Sequence, residues 1–195
     1  MNPDVVKSTK IKIIDRALKL FKEKGSENVT VEDICKSLGI TRSAFYYHFR
    51  SKEEIFDGYF LFPNLSVSEN LVSILMSTNY LEQFYRIYDI YLDRVIELGY
   101  EVLGQVYKRN IDVEQNHFVP RNIEVWDVYV SLLKKAQENG QILNRMPPEQ
   151  LADTAIYAGD GISYVWCSTK GSFDIKAEYR RILDAVFIIP DKDPR

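Results

Sequence analysis

The stretch from Thr30 to Phe49 constrains the fold more than any other, because it holds two helix starts separated by one glycine-bearing break. Thr30 is suited to cap a helix, and Glu32 and Asp33 follow where the helix dipole favours negative charge. Ile34 and Leu38 form that helix's buried stripe, with the small Cys35 beside them. Leu38-Gly39-Ile40 then interrupts it, since glycine adopts a positive φ that other residues resist. Thr41 is suited to cap the next helix, Thr41–Phe49, whose Phe45 and Phe49 share one face. Two short helices about such a turn predict a helix-turn-helix. Upstream, Ile11, Ile14, Leu18 and Phe21 draw one apolar stripe along Lys10–Lys24, and Gly25 supplies its stop.

Arg42, Ser43, Tyr46, Tyr47 and His48 are left over on the outer side of the second short helix, and all carry hydrogen-bonding groups. Bases are read in the major groove by such side chains, while phosphate contacts fix the pose. Arg42 has the reach for a guanine edge or a phosphate, and Thr41 and Ser43 are short enough to allow close approach. Tyr46, Tyr47 and His48 suit phosphates, as does the point charge of Lys52 just beyond. The competing reading makes Tyr46-Tyr47-His48-Phe49 the aromatic core of a three-helix bundle. So many consecutive rings cannot all be buried on one short helix, so some must face outward.

Charge supports the first reading. Residues 1–52 hold eleven Lys or Arg against six Asp or Glu, whereas the whole chain has a net charge of −3. A basic head on an acidic body is the pattern of a polyanion-binding module joined to something that binds no polyanion. The 46% hydrophobic content is that of a globular chain, and no apolar run approaches the roughly 20 residues that cross a bilayer. Cys35 and Cys167 make neither a CxxC pair nor a disulfide framework, which predicts a reducing cytoplasm. With His48 and His117 as the only histidines, no zinc-ligand spacing exists, and neither a metal nor a cofactor is expected. His117 also has no nucleophile nearby in the sequence, so an enzyme is not the expected class.

The segment from Thr30 to Phe56 closely resembles the DNA-binding domain of the TetR family of transcriptional regulators. The resemblance is carried by Thr30, Ile34, Gly39, Ile40, Phe45, Tyr46, His48, Phe49, Lys52, Glu53 and Ile55, in one continuous run. Cys35 departs from the usual alanine, Thr41 from serine, and Ser43 from the common glycine. The resemblance implies phosphate contacts for Thr30, Thr41, Tyr46, Tyr47, His48 and Lys52. It places Arg42, Ser43 and Tyr46 nearest the base edges. It further implies a homodimer on double-stranded operator DNA, acting as a repressor that a small-molecule effector releases.

The expected architecture is therefore all-α, with a three-helix DNA-binding domain at 1–52 and a larger helical effector-binding and dimerisation domain at 53–195. In the latter, helices are expected over Glu53–Phe62 and about 67–77, 80–98, 101–111, 122–139, 149–169 and 175–187. Phe84, Tyr88, Tyr107, Trp126 and Tyr129 are candidate walls of a pocket for an apolar or aromatic effector. An aromatic stripe at helical spacing is nevertheless more often the mark of a core. Gly159-Asp160-Gly161 reads either as a site of close helix approach or as a local kink. The first reading makes Ile156, Tyr157, Gly161, Tyr164 and Val165 candidates for the dimer interface.

Overall fold

The computed structural model describes residues 3–61, 74, 78–112 and 125–190, and among these the regular structure is all helical. Helix α1 spans Pro3–Lys24 and starts earlier than the apolar stripe alone indicates. A single 3-10 turn, Ser26–Asn28, leads to α2, Val31–Leu38, and then α3, Arg42–His48. The helix expected over 53–62 is instead a tight 3-10 segment, Glu53–Leu61. Five further helices follow, two long and three shorter: α4, Tyr80–Leu98; α5, Tyr100–Asp112; α6, Trp126–Glu138; α7, Pro148–Ser168; α8, Ile175–Phe187. The expected helix at about 67–77 lies outside the described residues apart from Ile74, as do Pro63, Asn64, His117, Pro120 and residues 122–124.

Local chemistry explains several of these limits. Pro148 occupies the first helical position of α7, where its missing N–H costs nothing. Asp174 caps α8, its Oδ1 accepting from the amides of Lys176 and Ala177, both at 3.0 Å.

The chain forms two compact units, Met1–Phe62 with Ile96–Gln115, and Pro63–Val95 with Asn116–Arg195. This division differs from a boundary at residue 52. Ile55 and Phe56 are buried in the first unit, and the Phe56 ring lies 5.1 Å from that of Phe21 on α1. Helix α5 belongs there too, packed on α1 and on the 3-10 segment, with Val102, Leu103 and Val106 buried. Arg109 of α5 reaches Asp57 through Nε at 3.1 Å and Nη2 at 3.3 Å.

The second unit is organised around α4, α6, α7 and α8, with α7 packed on both α6 and α8. Polar groups fix α8 antiparallel to α4, one rung per helical turn. Lys176 meets Asp93 at 2.6 Å, Arg180 meets Asp89 at 3.0 Å, and the Tyr85 hydroxyl donates to Asp184 at 2.6 Å. Arg180 also reaches Glu82 at 3.2 Å and lies over the Tyr85 ring. Ion pairs this exposed contribute little each, about 0–1 kcal/mol, so their main effect is on register.

Candidate nucleic-acid interface

The helix-turn-helix is held by interactions that span only a few residues. The Thr30 amide donates to Asp33 Oδ2 at 2.9 Å, while the Asp33 amide donates to Thr30 Oγ1 at 3.2 Å, completing a capping box. These bonds to Thr30 hold the Asp33 carboxyl below its ordinary pKa. At the other end of α2, Gly39 takes φ 65°. The amides of Gly39 and Ile40 then close on the carbonyls of Lys36 and Cys35, at 3.3 and 3.1 Å. This pairing is a Schellman stop, which needs the left-handed residue that glycine provides. Thr41 restarts the helix by accepting from the Ala44 amide at 3.1 Å, and its hydroxyl also shares a hydrogen bond with Ser43 at 2.9 Å.

Of the seven residues of α3, Phe45 is buried, Arg42, Ser43, Tyr46 and Tyr47 are exposed, and Ala44 and His48 lie between. Phe45 is fully buried and Phe49, just past the helix, nearly so, with ring centroids 5.5 Å apart. Arg42 and Ser43 are exposed, as are Tyr46 at 47% and Tyr47 at 64%. His48 is half-buried, edge to face with Tyr47 at 5.0 Å. Burial, and then the nearby Lys10 ammonium, keep the His48 imidazole below its ordinary pKa. Thr41, Arg42, Ser43, Tyr46 and Tyr47 thus stand on one open face, secured by two rings beneath.

Lys52 is positioned otherwise than a free point charge. Its ammonium donates to the carbonyls of Ser26 at 2.6 Å and Val29 at 2.9 Å. An ammonium has three donors, so one remains for a further acceptor. The principal observed work of Lys52 is to hold the turn that precedes α2.

The candidate effector residues are divided. Phe84, Tyr88 and Tyr129 are buried together in the second unit, with Phe84 5.1 Å from Tyr129 and Tyr88 6.0 Å from Tyr129. Tyr88 also stacks on Tyr179 at 4.0 Å, so the cluster includes a ring that the sequence did not single out. Trp126 is half-buried and donates from Nε1 to Asp153 at 2.8 Å. Tyr107 lies on α5 in the first unit. Asp160 borders the tyrosine cluster, and burial pushes its carboxyl up to about 7.

The residues considered for the dimer interface divide as well. Tyr157, Gly161, Tyr164 and Val165 are exposed on α7, whereas Ile156 is buried in the core. The glycine pair likewise points two ways. A Cβ on Gly159 would sit 1.5 Å from the Tyr88 hydroxyl, while Gly161 has open space around it. Beside the exposed residues runs an apolar groove of about 790 Å³ between α7 and α8, lined by Ala158, Gly161, Ile162, Val165, Ala177 and Ile182 among others.

Among the described residues no helix is long and apolar enough to cross a membrane, and no group of three His, Cys, Asp or Glu is placed to hold a metal ion. Besides Tyr179, sequence reasoning missed the Lys10 approach to α3 and the Arg109–Asp57 pair. Only the Lys10 contact had a signal, since Lys10 falls off the apolar stripe of α1.

Residues 13–59 match the sequence model of the family described as "Bacterial regulatory proteins, tetR family". The chain is 32% identical over 119 residues to the biofilm operon icaADBC HTH-type negative transcriptional regulator IcaR of Staphylococcus aureus (strain Newman), covering 55% of this chain and 64% of IcaR. Against IcaR of Staphylococcus epidermidis the identity is 51% over 47 residues, 24% of this chain and 25% of that one. The chain thus spans less than two thirds of the length of the curated relatives it matches. In fold it is similar to Thermus thermophilus FadR, a TetR family transcriptional repressor crystallised with lauroyl-CoA. The TM-score is 0.66 at 16% identity, over 95% of this chain and 98% of FadR.

Proposed function

We propose that this chain, a member of the tetR family of bacterial regulatory proteins through residues 13–59, is a dimeric repressor that leaves its operator when a small molecule binds its second unit. The observation that carries the reading is the split of α3, in which Phe45 and Phe49 anchor a helix whose open side offers Arg42, Ser43, Tyr46 and Tyr47. In this reading Arg42 and Ser43 face base edges, while Thr30, Thr41, Tyr46, Tyr47 and His48 meet phosphates. Lys52 adds one donor to a phosphate while holding the turn before α2.

A homodimer sets two such helices into successive major grooves, about 34–36 Å apart, on a near-palindromic site. The exposed Tyr157, Gly161, Tyr164 and Val165, with the groove beside them, favour α7 and α8 as the dimer face. Ile156 supports that face from within rather than lying on it.

The effector belongs to the second unit, where Phe84, Tyr88, Tyr129 and Tyr179 form an apolar aromatic cluster. The FadR ligand, lauroyl-CoA, has a long apolar chain of a kind suited to such surroundings. An effector that binds one conformation of the protein better than the other shifts the equilibrium by that difference in affinity.

The test is selection of bound sequences from random duplex DNA near physiological salt, with Tyr46→Ala as the control. A palindrome recovered by the native chain and lost by the variant is the expected result. Failure to enrich any sequence would refute sequence-specific binding by this chain.

A further inference from the structure

The end of α3 is flanked by a cation from another helix. Lys10, on α1, holds its Nζ 5.5 Å from the centroid of the Phe49 ring, immediately beside His48. The His48 imidazole is bounded by Tyr47 at 5.0 Å and by Phe49 at 6.4 Å. Among the described residues, Lys10 from α1 and Tyr47 from its own helix are its titratable neighbours. Lys10 and His48 are both half-buried, whereas Tyr47 is open to solvent.

We propose that Lys10 and His48 together seat one backbone phosphodiester, and that His48 takes up a proton from solvent as the seat is filled, so that DNA binding by this chain is proton-linked. This rests on the reading that α3 enters the major groove. The physical argument concerns what the empty seat lacks. Burial and the adjacent ammonium both disfavour the imidazolium, so the free head holds His48 neutral near pH 7. A phosphodiester placed between the two groups opposes both effects. It offers the imidazolium an acceptor for a charge-assisted hydrogen bond, and it offsets the charge of Lys10. Lys10 is held ready because its ammonium lies over the Phe49 ring, and Phe49 is itself anchored against Phe45. A proton bound in the complex and absent from the free head makes affinity rise as pH falls. The slope reaches at most about one tenfold change per pH unit per head, by linkage.

The experiment measures binding of the selected duplex at fixed salt between roughly pH 6 and pH 8, the range over which a histidine titrates. It compares the native chain with His48→Gln and Lys10→Gln. The native chain should bind several-fold more tightly at the acid end, and His48→Gln should show a flat profile. Lys10→Gln should bind more weakly, lose about one unit of salt slope, and show its pH dependence moved to higher pH. In parallel, the His48 imidazole of the native chain is titrated by NMR with and without duplex, which needs no variant to fold. Its midpoint should rise on the DNA. Binding with the same pH profile in the native chain and His48→Gln, or a midpoint that does not rise, would overturn the proton-linked seat while leaving the DNA reading intact. No binding of any duplex across the range would overturn both.

Discussion

Arg109 and Asp57 are joined side chain to side chain by two hydrogen bonds, 3.1 and 3.3 Å long, which tie α5 to the 3-10 segment behind the helix-turn-helix. Both groups are largely shielded, with 28% and 18% of their side chains exposed. Neutralising one partner leaves the other charge without its counter-charge. Asp57→Asn or Arg109→Met should each lower stability by about 1–3 kcal/mol. The exchanged pair Asp57→Arg with Arg109→Asp should recover part of that loss. A double-mutant cycle by chemical denaturation checks this, and additive single costs would dismiss the coupling.

Gly159 is required by the ring that faces it. A Cβ there would meet the Tyr88 hydroxyl at 1.5 Å and ring carbon Cζ at 2.5 Å. Gly159→Ala should therefore cost about 1–3 kcal/mol through overpacking. Adding Tyr88→Phe removes the nearer atom only, so it should restore part of the stability. Gly161→Ala meets open space inside α7 and should stabilise the monomer by about 0.5–1 kcal/mol. Thermal denaturation of the three variants distinguishes the inward glycine from the outward one.

Asp160 gives the second unit a pH dependence of definite sign. Its folded pKa, pushed up to about 7 by burial, lies above the ordinary 3.8. The folded state therefore holds a proton that the unfolded state has released over this interval. Stability from this group is full below about pH 4 and is lost progressively as pH rises towards 7, the order of a few kcal/mol at most. Asp160→Asn should be more stable than the native chain at pH 8 and should lose this slope. Equal slopes for the two proteins would remove Asp160 as its source.

Thr41 is the hinge between the turn and α3. Thr41→Ala removes the bond to the Ala44 amide and should cost about 0.5–2 kcal/mol of head stability, whereas Thr41→Ser retains the cap. If Thr41 also meets a phosphate, as proposed, DNA affinity should fall more than the stability loss explains. A matched fall in both would assign it to capping alone.

Arg42 and Lys52 should separate specificity from scaffold. Arg42 is exposed, and Arg42→Ala should relax base preference at one position of each half-site by about 1–3 kcal/mol without changing the melting temperature. Lys52 holds the carbonyls of Ser26 and Val29, so Lys52→Ala should lower the melting temperature and weaken all sequences alike. Binding-site selection with each variant, beside its melting curve, checks both. An unchanged preference in Arg42→Ala would show that the wrong face of α3 had been assigned.

The sequence was most legible where structure depends on neighbours in the chain. Thr30 with Asp33, Gly39 with Cys35 and Lys36, and Thr41 with Ala44 are interactions across a single helical turn, and each is satisfied as the residues suggest. Phe45 and Phe49 alternate with exposed tyrosines for the same reason, because helical periodicity alone sorts them. The 3-10 geometry of Glu53–Leu61 was less legible, since a stretch rich in apolar residues is equally compatible with an α-helix.

By its own local chemistry, then, the chain determined its all-helical character, the helix-turn-helix with its caps, and the outward face of α3. Tertiary packing alone decided the roles of residues whose partners lie far along the chain. It set Lys52 on Val29, Arg109 on Asp57, Lys10 beside His48 and Tyr88 against Gly159. It also buried Ile156 while exposing Tyr157, and made α5, with Tyr107, part of the first unit, whereas the aromatic cluster belongs to the second. The reason is physical: caps and turns are closed by groups a few bonds apart, whereas burial and charge pairing depend on which surfaces the folded chain brings together.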